Sequence, residues 1–128
     1  MITAESIVEK IGNKYFPVSF KVDVNGGTLC ICVFNGDPYN DDITVAKFNM
    51  YDMYLYVIDI CVLDMADYWE DRIDDITEEQ FVLKILADIS DELEEEITVL
   101  NDENKIRYLD VVKSLNIARD AIKKTSAK

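Results

Sequence analysis

The chain has 128 residues, 13 basic and 26 acidic, with no histidine, so its formal net charge is −13. A single domain over 1–128 is expected, because this length suits one core and not two, and the 49% apolar content excludes intrinsic disorder by offsetting chain entropy. A surface of this sign repels phosphate backbones and anionic headgroups, which excludes charge-driven binding to nucleic acid or membrane and leaves basic protein surfaces as partners.

In chain order, Thr3 or Ser6 is placed to cap a short helix running to about Ile11, with Ile7, Val8 and Ile11 as its buried stripe. Tyr15 to Val24 then alternates, setting Phe16, Val18, Phe20, Val22 and Val24 on one side. Asn25-Gly26-Gly27 supplies a positive-φ hairpin turn, Thr28 to Phe34 returns as a second strand, and Asn35-Gly36-Asp37-Pro38 breaks it. Ile43 to Phe48 is the predicted third strand.

From Tyr51 to Asp75 the helical period puts Tyr54, Ile58, Cys61, Val62, Met65 and Trp69 on one stripe. Asp52, Asp59, Asp67, Glu70 and Asp74 fall opposite, with Asp64 and Asp71 on the flank. Thr77-Glu78-Glu79-Gln80 has the form of a capping box. The helix it opens turns Phe81, Val82, Ile85, Ile89, Leu93, Ile97 and Leu100 inward, and Asp88, Asp91, Glu92 and Glu95 outward. A last helix over roughly Glu103 to Lys124 buries Ile106, Leu109, Val112, Ala121 and Ile122. The expected fold is therefore α+β: a short N-terminal helix, a small antiparallel sheet of about three strands, then three amphipathic helices packed on it. Residues 1–51 form the helix and sheet, and 52–128 the helical part with acidic faces.

No run approaches the 18 or so apolar residues of a membrane span, and Met-Ile-Thr-Ala-Glu-Ser lacks the features of a signal peptide. A cytoplasmic location is expected, that of the host if the protein is phage-encoded. Three cysteines fit a reducing compartment; Cys30, Cys32 and Cys61 read as small buried apolar side chains in preference to a soft-metal or redox site. Without histidine, and with no Walker loop, G-x-G-x-x-G, G-x-S-x-G or H-E-x-x-H, the chain carries no enzymatic motif, and no cofactor or metal is expected. Asp71, Asp74 and Asp75 do not follow the EF-hand order, so only weak cation association is expected of them.

Charge is distributed unevenly along the chain: residues 1–51 carry −2, residues 52–103 carry −16 and residues 104–128 carry +5. The acidic block holds 18 acids against Arg72 and Lys84 alone. One-signed packing costs stability through self-repulsion, which points to a use for it beyond solubility. A helix over 52–75 would be about 36 Å long and carry an acid every ~4.5 Å, comparable to the phosphate repeat of about 3.4 Å along one DNA strand.

In general character these acidic helices resemble the small DNA-mimic inhibitors that phages and mobile elements use against restriction or CRISPR nucleases. The resemblance implies a non-enzymatic inhibitor occupying the basic surface of a nucleic-acid-binding protein; the helical period, and not the resemblance, offers Asp52, Asp59, Asp64, Asp67, Glu70, Asp71, Asp74, Asp88, Asp91, Glu92 and Glu95 as its contacts. Two other readings stand beside it: an immunity protein against a basic toxin nuclease, and an adaptor or structural subunit with an apolar interface involving the last helix. The sequence leaves the oligomeric state open.

Overall fold

The computed structural model describes residues 2–37, 40–57, 60–99 and 102–126. Among them are α1 (Ala4–Lys10), β1 (Val18–Val22), β2 (Thr28–Asp37), β3 (Asn40–Asn49), β4 (Tyr54–Val57), β5 (Cys61–Asp64), α2 (Ala66–Trp69), α3 (Glu78–Ile97) and α4 (Asp102–Ser126). The strands form one antiparallel meander in the order β1-β2-β3-β4-β5. This corrects the expected architecture of about three strands carrying three helices: the described residues hold five strands and four helices, of which α3 and α4 are long.

Local chemistry sets the start of α1. The Thr3 hydroxyl accepts from the Ser6 amide at 3.0 Å while the Ser6 hydroxyl accepts from the Thr3 amide at 2.9 Å, so two helix-end amides are satisfied reciprocally. The turn between β1 and β2 has Gly26 at φ 77°, a conformation that costs glycine little. The turn's ends are tied by Gly26 N–H to Asp23 O at 2.8 Å and Asp23 N–H to Thr28 O at 2.9 Å. β1 is shorter than the alternating run that predicts it, and Phe16 and Val24 beyond its ends are exposed. β2 continues through Asn35 and Gly36 to Asp37, because its pairing with β3 extends to Asp37 opposite Asn40; Pro38 lies outside the described residues. A bulge between Ile31 and Cys32 bends this pair.

The predicted helix from Tyr51 to Asp75 is not formed: the described residues of that segment are the β4–β5 hairpin, the four-residue α2 and a run of turns. Its apolar residues satisfy a period of two as well as one of 3.6, and pairing with β3 selects the strand. Phe48 faces Leu55 and Ala46 faces Val57, burying all four. Entry to the hairpin is fixed by Asn49, whose side chain accepts from the amides of Tyr51 (2.9 Å) and Asp52 (3.3 Å). Asp52, Asp64, Asp67, Glu70, Asp71 and Asp74 therefore do not share a helical face, and Asp59 lies outside the described residues.

The core lies between one sheet face and the helices. Cross-strand rows Phe20, Ile31, Ala46, Val57 and Leu29, Phe48, Leu55 meet Phe81, Val82, Ile85, Leu86 and Ile89 of α3, with Phe48 and Phe81 edge-on at 5.2 Å. Trp69 closes one end, its ring 4.7 Å from that of Phe81. α4 packs along α3, burying Val111, Val112, Leu115, Ala118 and Ile122. Buried Ser90 of α3 donates to Asn116 Oδ1 at 3.4 Å, and Arg119 donates to the same oxygen at 3.2 Å. Ile106 and Leu109, expected inside, are exposed, because the face of α4 that docks on α3 is the one through Leu115.

Candidate protein-binding face

α3 builds its acidic stripe from helical spacing alone. Asp88, Asp91, Glu92 and Glu95 occupy positions i, i+3, i+4 and i+7, so they share one side over about 10 Å of axis. Asp91 and Glu95 are exposed, whereas Asp88 and Glu92 are half-buried and already engaged. Asp88 Oδ1 is 3.0 Å from Lys84 Nζ, and Glu92 Oε2 accepts from the Cys61 thiol at 3.4 Å. Glu94, Glu95 and Glu96 crowd the C-terminal turns of α3, whose last turn has no basic residue. Acids at this negative end of the helix dipole are unfavourable.

The segment after the hairpin adds a second acidic group. Asp67 lies in the first turn of α2 and Glu70 at its C-cap; Asp71, Asp74 and Asp75 follow in the turns, and all five are exposed. Tyr68 joins this group to α3: its ring carries the Arg72 guanidinium and the Lys84 ammonium, each 4.6 Å from the centroid. The two cations of the acidic segment are thus both held on one aromatic ring.

Asp52 and Asp64 stand apart in role. Asp52 Oδ1 accepts from the Tyr54 amide at 3.2 Å and Asp64 Oδ1 from the Ala66 amide at 3.1 Å, so both carboxylates shape the turns flanking the hairpin. Both are exposed. Glu96, whose charge acts on Cys61 together with those of Glu92 and Glu95, borders the stripe as well, and neither it nor Cys61 is placed there by the helical period of the sequence.

The cysteines differ from one another. Cys32 is buried, with its sulfur 3.6 Å from Thr44 Oγ1. Cys30 and Cys61 are only partly covered, which corrects the reading of all three as buried. Cys30 lies opposite Lys47 and Lys21 on the sheet face away from the core; burial raises its pKa, and Lys47 opposes that rise. Burial pushes the Cys61 thiol up to about 11, reinforced by its hydrogen bond to Glu92 and by the charges of Glu92, Glu95 and Glu96. Among the described residues no group of three or more cysteines or carboxylates is arranged to hold a metal ion, and no helix is long and apolar enough to cross a membrane.

No protein-family model, no curated protein and no solved structure matches the chain.

Proposed function

We propose that this protein is a non-enzymatic inhibitor that sets its acidic face against the basic, nucleic-acid-binding surface of a target protein, in the manner of anti-restriction or anti-CRISPR proteins. The observation that carries the reading is the one-signed group formed by the α3 stripe and the α2 segment, with its two cations engaged on Tyr68. The mimicry is of charge density on a patch. It is not a ladder along one long helix, because Tyr54–Val57 and Cys61–Asp64 are paired strands. Asp67, Asp71, Asp91 and Glu95 are the primary contacts, being exposed and free of the turn-forming duties of Asp52 and Asp64.

Immobilised protein exposed to a nuclease-treated bacterial lysate tests the reading. Captured proteins should be released by excess double-stranded DNA, and should not bind a variant with Asp67, Asp71, Asp91 and Glu95 changed to lysine. Circular dichroism establishes that the variant is folded. Retention indifferent to both DNA and charge reversal would sink the reading.

A further inference from the structure

α4 leaves a stripe uncovered on the side away from α3: Ile106, Asp110, Lys113 and Ile117 are all exposed, at intervals of four, three and four residues. Those intervals place them on one side of the helix. The stripe borders a groove of about 780 Å³ whose other wall is Val33, Phe34 and Ile43 of β2 and β3. Phe34 at the rim packs at a tilt of 45° against Phe16 with ring centroids 5.3 Å apart, and Phe16 is 69% exposed. The stripe sets two exposed isoleucines around a central pair of opposite charges, beside the exposed Phe16 and Phe34.

We propose that this face pairs with a second copy of the same chain, α4 against α4 in antiparallel fashion about a twofold axis passing between Asp110 and Lys113. The order Ile, Asp, Lys, Ile has the same spacing read from either end, and its two charges are opposite. An antiparallel copy therefore sets Ile106 against Ile117 of the second copy and Asp110 against Lys113 of the second copy. The twofold makes each contact twice, the self-complementarity an isologous interface requires. Within one chain, neither Asp110 nor Lys113 takes part in an ion pair among the described residues, so both are available. Crossing of the two helices confines contact to about 16 Å of axis between Ile106 and Ile117. A helix pair alone buries less than the roughly 1,200–2,000 Å² of a standard interface, and Phe16 and Phe34 of both copies add apolar surface as each helix meets the facing groove. The acidic stripe of α3 plays no part, so this pairing is independent of the proposed inhibition.

Sedimentation across a concentration series tests the pairing. The wild-type chain should approach twice its 14.7 kDa mass. Asp110→Lys and Lys113→Asp should each weaken self-association about tenfold, since each replaces two attractive contacts by two repulsions. An equimolar mixture of the two variants should regain the wild-type dimer, because the paired lysines of one variant then face the paired aspartates of the other. Both substitutions lie on an exposed face, and circular dichroism verifies that the helices persist. A wild-type chain that stays monomeric throughout overturns the proposal and leaves the groove to a foreign ligand. A dimer unaffected by either reversal, or a mixture that fails to recover, overturns it as well.

Discussion

The Cys61 thiol donates to the Glu92 carboxylate across 3.4 Å, joining the edge strand β5 to the acidic stripe of α3. Burial first and Glu92 second push the thiol's pKa up to about 11, which lowers its thiolate fraction in mildly alkaline solution. Glu92→Gln removes the charge, so the thiolate fraction rises and alkylation of Cys61 by iodoacetamide near pH 8 should accelerate several-fold. Peptide mass spectrometry separates Cys61 from Cys30. An unchanged rate would mean that Glu92 does not govern the thiol.

The same pair fixes the sign of an alkaline effect. Because the folded-state pKa lies above the ordinary value of 9.0, the stability linked to this proton is fully present below pH 9 and lost as pH rises through about 11. Cys61→Ser should flatten that part of the stability profile in chemical denaturation. An identical decline in wild type and variant would assign it to other groups.

Glu95 sits near the negative end of α3 beside Glu94 and Glu96, so Glu95→Lys should stabilise the fold by about 0.3–1 kcal/mol at low ionic strength. The gain should shrink in high salt, as surface electrostatics do. Thermal unfolding at two salt concentrations measures both, and a loss of stability would show that Glu95 is structural.

Thr77 accepts from the Gln80 amide at 3.2 Å while Gln80 Oε1 accepts from the Thr77 amide at 2.9 Å. Thr77→Ala should cost about 1 kcal/mol, whereas Thr77→Ser should keep most of it. Equal destabilisation by the two changes would count against the cap.

Phe81 lies between Phe48 and Trp69 and is fully buried, so Phe81→Ala should cost about 3–5 kcal/mol, a large part of a domain's usual stability. The single tryptophan, Trp69, reports the transition directly by fluorescence. A loss under about 1 kcal/mol would contradict the close packing of this cluster.

Features that depend on neighbours in sequence are readable without the structure. A cap at Thr3 or Ser6, the cap at Thr77, the Gly26 turn and the shared side of Asp88, Asp91, Glu92 and Glu95 each follow from local hydrogen bonding or helical period, whereas the half-burial of Asp88 and Glu92 does not. The β4–β5 hairpin is not readable in this way, since Tyr54, Cys61, Val62 and Met65 fit one face of a helix as well as they fit strands. The exposed stripe of α4 escapes for a related reason: Ile106, Leu109 and Val112 offer one apolar side, and Val111, Leu115, Ala118 and Ile122 another.

The sequence by itself determined that the chain is acidic with its surplus confined to residues 52–103, and that α3 would display carboxylates on one side. Only the tertiary structure decided which acids share a face, because β3 captures Leu55 and Val57 by long-range pairing and so turns a candidate helix into strands. It also decided which side of α4 is left bare, through the docking of Leu115 and Asn116 on α3. Local periodicity ranks the conformations open to a segment; burial against distant residues selects among those that remain close in energy.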